Sequence, residues 1–257
     1  VRTLLVVGIG SGDPRQLTGQ AVDALARADV VLVLEKEKGD DGDALAAFRR
    51  ALLGEGMAGD HRVVVRSDPE RDRAAGDYLG SVAAWHEARV DVYEQVLREE
   101  LAEGEVAAVL VWGDPSLYDS TLRIVDRLHE RDTVAFEHEV VPGISSVQAL
   151  CAAHRIPLNR VGGSVLVTTG RRLAEGKPEG VDDVVVLLDG SCAFQEVDAE
   201  RAHIWWGAYL GMPEQVLISG PLAECRDQIV ERRAALRAEH GWIFDAYLIR
   251  WERDQPS

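Results

Sequence analysis

The stretch Val106-Ala107-Ala108-Val109-Leu110-Val111-Trp112-Gly113-Asp114-Pro115-Ser116-Leu117-Tyr118 decides the fold. Its first seven residues form an unbroken apolar run of strand length, which Gly113-Asp114-Pro115 stops. A helix is expected around residues 117–128. Strand, glycine turn and helix in this order make half of a βαβ unit. The same order recurs through the first half of the chain. Apolar runs at residues 3–9, 30–34, 62–65 and 134–141 alternate with helical spacing at 17–28, 43–53, 78–102 and 144–154. In the helix at 17–28, Val22, Leu25 and Ala28 share a face and Thr18 is the expected N-cap. The long helix at 78–102 carries Leu79, Val82, His86, Val90, Tyr93 and Leu97 on one face. Strands joined by helices pair in parallel through right-handed crossovers, so an α/β sheet covered on both faces is expected. Residues 39–42 and 67–76 read as solvated loops.

The second half begins after residues 155–163, which hold Pro157 and a glycine pair and read as a linker. Strands are expected at 165–169, 184–188, 204–210, 216–219 and 243–250. A helix at 222–238 carries Leu222, Cys225, Ile229 and Leu236 on one face. The fold class is therefore α/β: two α/β domains of about five strands each, spanning residues 1–154 and 164–257.

Composition limits what such a chain does. Its 257 residues carry 28 Lys and Arg against 44 Asp and Glu, for a net charge of −16. Nucleic acid is held chiefly through lysine and arginine on phosphate, so no nucleic-acid partner is expected. Cys151, Cys192 and Cys225 are far apart and odd in number, which fits a reducing cytoplasm and gives no metal-binding signature. The sequence holds no secretory leader pattern and no apolar run of about 18 residues, so a cytoplasmic protein without a membrane span is expected.

Three first-half strands end in glycine-bearing turns: Gly8-Ile9-Gly10-Ser11-Gly12-Asp13-Pro14, Gly113-Asp114-Pro115, and Pro142-Gly143-Ile144-Ser145-Ser146. In a parallel sheet these ends share one edge, where ligands collect. Glycine admits a ligand to the backbone, and the following helix offers unpaired N–H groups. The first turn is not a dinucleotide fingerprint, because position 13 is Asp where Gly is required and only Glu35 is placed to meet a ribose. Asp114 either caps the helix expected near Ser116 or orients a bound nucleoside. Ser145 and Ser146 are either helix caps or ligand contacts.

In this order the turns resemble those of the S-adenosylmethionine (SAM) dependent tetrapyrrole methylases, which modify precorrins and uroporphyrinogen. Ile156-Pro157-Leu158, Ala208-Tyr209-Leu210-Gly211 and residues 216–222 also resemble stretches of that family, so the likeness runs along nearly the whole chain. Ser11 departs from it, standing where the family usually has proline. Residues 111–123, 167–173, 203–209 and 85–89 resemble the deacetylating branch, which methylates C1 of precorrin-5, releases acetate and gives precorrin-6A.

The resemblance implies the tetrapyrrole methylase fold, with the cofactor in a cleft between the domains and the second domain completing the SAM site. It implies SAM contacts at Ser11, Gly113, Asp114, Leu117, Ser145, Ser146, Leu210 and Gly220, a homodimer, and S-adenosylhomocysteine as product. Alignment of carbon and methyl group needs no metal. Acetate release needs a base or a carbonyl polariser, for which Asp13, Tyr118 and His86 are suited by type. The bland readings are a loop brace for Asp13, packing for Tyr118 and a core histidine for His86. Arg123, Arg160, Arg171 and Arg172 are expected to meet substrate carboxylates, with a solvated loop as the other reading of the Arg171-Arg172 pair. Trp205, Trp206 and Trp251 belong either to a dimer interface or to the core. Other precorrin methylation, a same-fold methylase of protein or RNA, and a SAM or corrinoid carrier without turnover remain as alternatives.

Overall fold

The computed structural model describes residues 1–35, 61–70, 78–177 and 179–252. The expected helix at 43–53, the loop at 39–42 and most of the loop at 67–76 lie outside the described residues. The chain divides into two units, Val1–Gly10 with Pro14–Ser145, and Ser11–Asp13 with Ser146–Ser257.

The first unit holds a five-stranded sheet in the order β3-β2-β4-β1-β5, with every pairing parallel. Its strands are β1 (Arg2–Gly8), β2 (Val30–Glu35), β3 (Arg62–Ser67), β4 (Val106–Val111) and β5 (Phe136–Val141). Alternation along the strands splits the core in two. Leu4, Val6, Leu32, Val109 and Val111 face α2 (Tyr78–Glu99) and α3 (Thr121–Arg131), whose Val90, Tyr93, Leu97, Ile124 and Leu128 are buried against them. Leu5, Val7, Val31, Val33 and Leu110 face the other way onto Ala21, Ala24 and Leu25 of α1 (Gly19–Ala26). The covered parallel sheet is as expected.

Thr18 caps α1, its side chain accepting the Ala21 N–H at 3.0 Å. Val22 is 45% exposed rather than on the apolar face, because the contact stripe of this short helix runs through Ala21, Ala24 and Leu25. The helix expected at 117–128 begins only at Thr121. Tyr118 takes a left-handed backbone (φ 52), which breaks helical continuation, and the Asp119 carboxylate accepts the Thr121 N–H at 2.6 Å.

The second unit holds a mixed sheet in the order β6-β7-β10-β8-β9: β6 (Val165–Thr169), β7 (Asp183–Leu187), β8 (Ala202–Ala208), β9 (Val216–Pro221) and β10 (Asp245–Trp251). Only β6 and β7 run parallel; the other three pairings are antiparallel. One face buries Val184, Val186, Ile204, Trp206, Tyr247 and Ile249 with Leu222, Cys225, Ile229 and Leu236 of α6 (Leu222–His240). Trp206 is therefore core, its indole N–H donating to Asp245 at 3.0 Å, while Trp205 and Trp251 are half-buried. The division of the chain falls at Ser145, ahead of the expected linker at 155–163. The intervening α4 (Ser146–His154) packs on the second sheet, with His154 Nε2 2.9 Å from the Trp206 carbonyl.

Segment 155–163 is itself anchored. Asp183 is fully buried, 2.7 Å from the Arg160 guanidinium and 3.2 Å from Arg250 Nε. The second contact is a charge pairing, because the Arg250 Nε–H is not aimed at the carboxylate oxygen. Arg160 also donates to the carbonyls of Trp251 and Asp182, and Arg250 to those of Pro157 and Leu158.

Candidate functional site

Strand order places the turns after β4, β1 and β5 side by side. The helix that follows β1 lies on one face of the sheet and the helix that follows β4 on the other. The carboxyl ends of β1 and β4 therefore flank a topological switch point, where open α/β sheets bind their ligands.

The three turns are locked together by main-chain contact. Gly113 N–H donates to the Gly10 carbonyl at 2.8 Å, and Gly10 N–H to the Gly113 carbonyl at 3.3 Å. A Cβ on Gly8 would lie 2.6 Å from Gly143 N and 2.9 Å from the Gly113 carbonyl oxygen. On Gly143 it would lie 2.0 Å from that oxygen and 2.8 Å from the carbonyl carbon of Gly8. Glycine is thus required here first by three converging backbones and only then by any ligand.

Asp114 fastens the cluster. One carboxylate oxygen accepts the Ser116 N–H at 2.9 Å and the Ser116 hydroxyl, and the other accepts the Gly143 N–H at 2.9 Å. Burial alone would raise its pKa, but the hydrogen bonds from Ser116 and Gly143 outweigh it and hold the carboxyl below its ordinary value. Since α3 starts at Thr121, Asp114 caps no helix; it joins the turn after β4 to the turn after β5. Asp114→Ala leaves these donors without their acceptor and is expected to cost about 1–3 kcal/mol. Urea denaturation checks this, with a lower midpoint at unchanged slope expected.

The first turn leaves its sheet after Gly10. Ser11 is buried and Asp13 half-buried, and both are grouped with the second unit. Gly12 (φ 142) lies where a Cβ would meet Met212 Cγ at 2.4 Å and the Leu210 carbonyl oxygen at 3.0 Å. Tyr209, left-handed at φ 51, makes the turn that presents this carbonyl, and its phenol donates to Trp242 O at 2.5 Å. Burial, with nearby carboxylates, pushes the Tyr209 phenol up to about 12. The Leu210 side chain packs on Gly207, and the open side of Gly220 is filled by Cys225 Sγ. Ser145 is buried just before α4, and Ser146 is the first residue of that helix. Leu117 is half-buried.

His86 and Tyr118 both belong to the first unit. Tyr118 is 46% exposed, and partial covering by protein pushes its phenol up. His86 is buried on α2 beside the Trp85 ring, 5.2 Å between centroids. Burial lowers its pKa, and the positive charges of Arg127, Arg123 and Arg89 lower it further against an opposing Glu87. The imidazole is therefore neutral near pH 7. The folded form resists protonation, so stability is fully present above about pH 6.5, the unfolded value, and falls as pH drops toward the depressed folded value. His86→Gln is expected to flatten the loss of melting temperature between about pH 6.5 and 5. His154 and His203, also lowered mainly by burial, keep the remainder. A slope identical to wild type would contradict a buried neutral His86.

A cation not singled out by the sequence lies near His86. Arg89 holds Asp68, just beyond β3, through two bonds of 2.7 Å, reaches the Ser120 hydroxyl at 3.3 Å and lies 4.3 Å over the Trp85 ring. The pairing of a residue after β3 with one on α2 had no local signal. Of the arginines expected to meet carboxylates, Arg123 is exposed and donates to the Asp119 carbonyl at 3.1 Å. Arg171 and Arg172 are exposed at the start of α5 (Gly170–Leu173), Arg172 pairing with Glu175 at 2.7 Å. Arg160 is committed to Asp183 and to backbone carbonyls. Among the described residues no cluster of three or more His, Cys, Asp or Glu is placed to hold a metal ion.

Residues 3–226 match the model of the Tetrapyrrole (Corrin/Porphyrin) Methylases. A curated protein of Sinorhizobium sp named Precorrin-6A synthase [deacetylating] is 49% identical over 251 residues, covering 97% of this chain and 95% of that protein. A Precorrin-2 C(20)-methyltransferase, also from Sinorhizobium sp, is 30% identical over 69% of this chain and 67% of its own length. The crystal structure of a cobalamin synthesis related protein (CobF) from Corynebacterium diphtheriae superposes with a TM-score of 0.84 at 37% identity, covering 98% of this chain and 99% of that one. Locked glycine turns at a switch point, a matching family model and near full-length relatives agree, and the chain belongs to the tetrapyrrole (corrin/porphyrin) methylases.

Proposed function

We propose that this chain is a SAM-dependent C-methyltransferase of aerobic cobalamin synthesis. It methylates precorrin-5 at C1, releases acetate and gives precorrin-6A and S-adenosylhomocysteine. One observation carries the reading: 49% identity, along 97% of the chain, to a protein named Precorrin-6A synthase [deacetylating]. The same branch was reached from residues 111–123, 167–173, 203–209 and 85–89.

SAM brings a methyl group on a sulfonium. The switch-point turns fit such a ligand through main-chain groups, with Gly113 at φ 68 and no side chain to bar approach. Gly113, Leu117, Leu210 and Gly220 offer backbone, and Ser11, Ser145 and Ser146 offer hydroxyls. Asp114 acts by holding Gly113 and Gly143 in place. Alignment of the nucleophilic carbon with the methyl group is the chief catalytic task, worth up to about 7–11 kcal/mol.

In the second step water adds to the acetyl carbonyl, the bond from that carbon to the macrocycle breaks, and acetate leaves. His86, neutral near pH 7, is suited to take the proton of the water; Tyr118 and Asp13 are the other candidates for polarising the carbonyl or moving protons. Arg123, Arg171 and Arg172, exposed at the surface, are the guanidinium groups proposed to meet substrate carboxylates.

The reading includes a cytoplasmic homodimer that binds no nucleic acid. Three buried free cysteines suit a reducing compartment, and the net charge of −16 disfavours phosphate backbones. No described helix is long and apolar enough to cross a membrane.

The test is a coupled reaction in which precorrin-5 is generated enzymatically and then supplied with this protein and SAM. A product carrying one added methyl and lacking the acetyl group supports the reading. A methylated product that keeps the acetyl group would move the chain to another precorrin methylation.

A further inference from the structure

His129 and His138 stand outside the site described above, and their rings meet. His129 lies in the last turn of α3, and His138 in the middle of β5, the edge strand of the first sheet. His129 Nε2 is 3.0 Å from His138 Nδ1, with the ring centroids 5.1 Å apart. Both residues are exposed, so the nitrogen pair is open to ions in solvent.

The pair is held in place by packing. The His129 ring stacks on the Phe136 ring, 4.2 Å between centroids and 8° between planes, and Phe136 is buried in the core beneath α3. Phe136 and His138 are two positions apart on β5 and so share the face that carries α3. Glu137 and Glu139 take the other face, where Glu139 accepts Arg27. A helix and a strand thus present the two imidazoles, and no loop has to gather them.

A hydrogen bond between two neutral imidazoles needs one protonated nitrogen and one bare one. The donor ring bares its nitrogen by moving its proton to its other nitrogen, so both rings can serve one cation with no net proton released. Two metal–nitrogen bonds of about 2.0–2.1 Å, at angles from square to tetrahedral, hold their nitrogens about 2.8–3.4 Å apart. The observed 3.0 Å lies within that range. Imidazole nitrogen selects transition metals, whereas magnesium and calcium take oxygen ligands. A net charge of −16 draws cations to the chain.

We propose that His129 and His138 form a two-imidazole site for a divalent transition-metal ion of the zinc or nickel class, with water in the remaining positions. The ion ties the last turn of α3 to the edge strand. It takes no part in methyl transfer: His138 stands opposite Leu4 in register, whereas the glycine turns leave from the far ends of β1 and β5, at Gly8 and Val141. The site and its test are therefore independent of the reaction proposed above.

Metal-stripped protein without a histidine tag, titrated with zinc chloride against a chromophoric chelator, is expected to bind one ion per chain. His138→Ala is expected to weaken this binding about a hundredfold, because a single imidazole replaces a chelate, and His129→Ala does the same. Without metal, His138→Ala melts within about 2 °C of wild type, as exposed substitutions do, so lost binding is not lost folding. Zinc at about a hundred times its Kd raises the wild-type melting temperature by about 5 °C, a rise that EDTA reverses and His138→Ala lacks. Zinc affinity equal in wild type and His138→Ala, or retained in His129→Ala, would overturn the proposal. So would a wild-type melting temperature that zinc leaves unchanged.

Discussion

Gly143→Ala is expected to lose at least ~3 kcal/mol of stability and about a hundredfold or more in activity. The new methyl group would sit 2.0 Å from the Gly113 carbonyl oxygen and under 3 Å from two main-chain atoms of Gly8. All three neighbours are backbone at adjacent strand ends, so no flexible side chain can swing aside. The turns after β4 and β5 must part, and with them goes the Gly143 N–H bond to Asp114. Displacement of about an ångström in a positioning site suffices for the expected loss of rate. Gly19 gives the contrast: a Cβ there meets nothing within 4 Å, and Gly19→Ala at the start of α1 is expected to be neutral or stabilising by up to about 1 kcal/mol. Urea melts and initial rates on both variants check the pair. Equal behaviour would mean that the three-strand convergence is looser than described.

Asp183→Ala is the second large effect, and it strikes the other unit. Asp183 is fully buried between Arg160 and Arg250, so its removal leaves two guanidinium groups facing each other without their shared carboxylate. Breaking such a buried pairing from one side costs about 3–5 kcal/mol. The same change releases segment 155–163, which Arg160 and Arg250 tie to Trp251, Asp182, Pro157 and Leu158. Trp205, Trp206, Trp242 and Trp251, four of the six tryptophans, belong to the second unit, so the emission change on denaturation reports chiefly there. A midpoint within error of wild type would show that the arginines find other partners.

The first sheet was legible because its strands are apolar runs bounded by glycine turns, each followed by a helical pattern; every described strand of the first half was found to within two residues. The start of α3 was misjudged because a helix-compatible string, Ser116-Leu117-Tyr118, is turned aside by the left-handed Tyr118, and the true start is signalled by Asp119 two residues before Thr121. The division at Ser145 was invisible, since α4 belongs to the second unit through packing on β8 and β10, which no local pattern records. In the second half the strands were found but their antiparallel order was not, because pairing β10 between β7 and β8 depends on residues 37–67 positions apart.

The site was legible in part. The three turns could be read, and the topology puts them together. Asp114 reads from the sequence either as a helix cap or as a ligand-orienting group, and its oxygens accept hydrogen bonds from Ser116 and Gly143. Arg160 was expected at substrate, but its partner Asp183 opens a buried strand where a charge is unexpected, and only the fold reveals it.

Deacetylating methyl transfer is tested most directly by a single turnover with SAM labelled with carbon-13 in its methyl group, supplied to the wild-type protein with freshly generated precorrin-5. One labelled methyl on C1 of the macrocycle and one unlabelled acetate released for each are expected. Label on another ring carbon, or methyl transfer without acetate in equal amount, would contradict it.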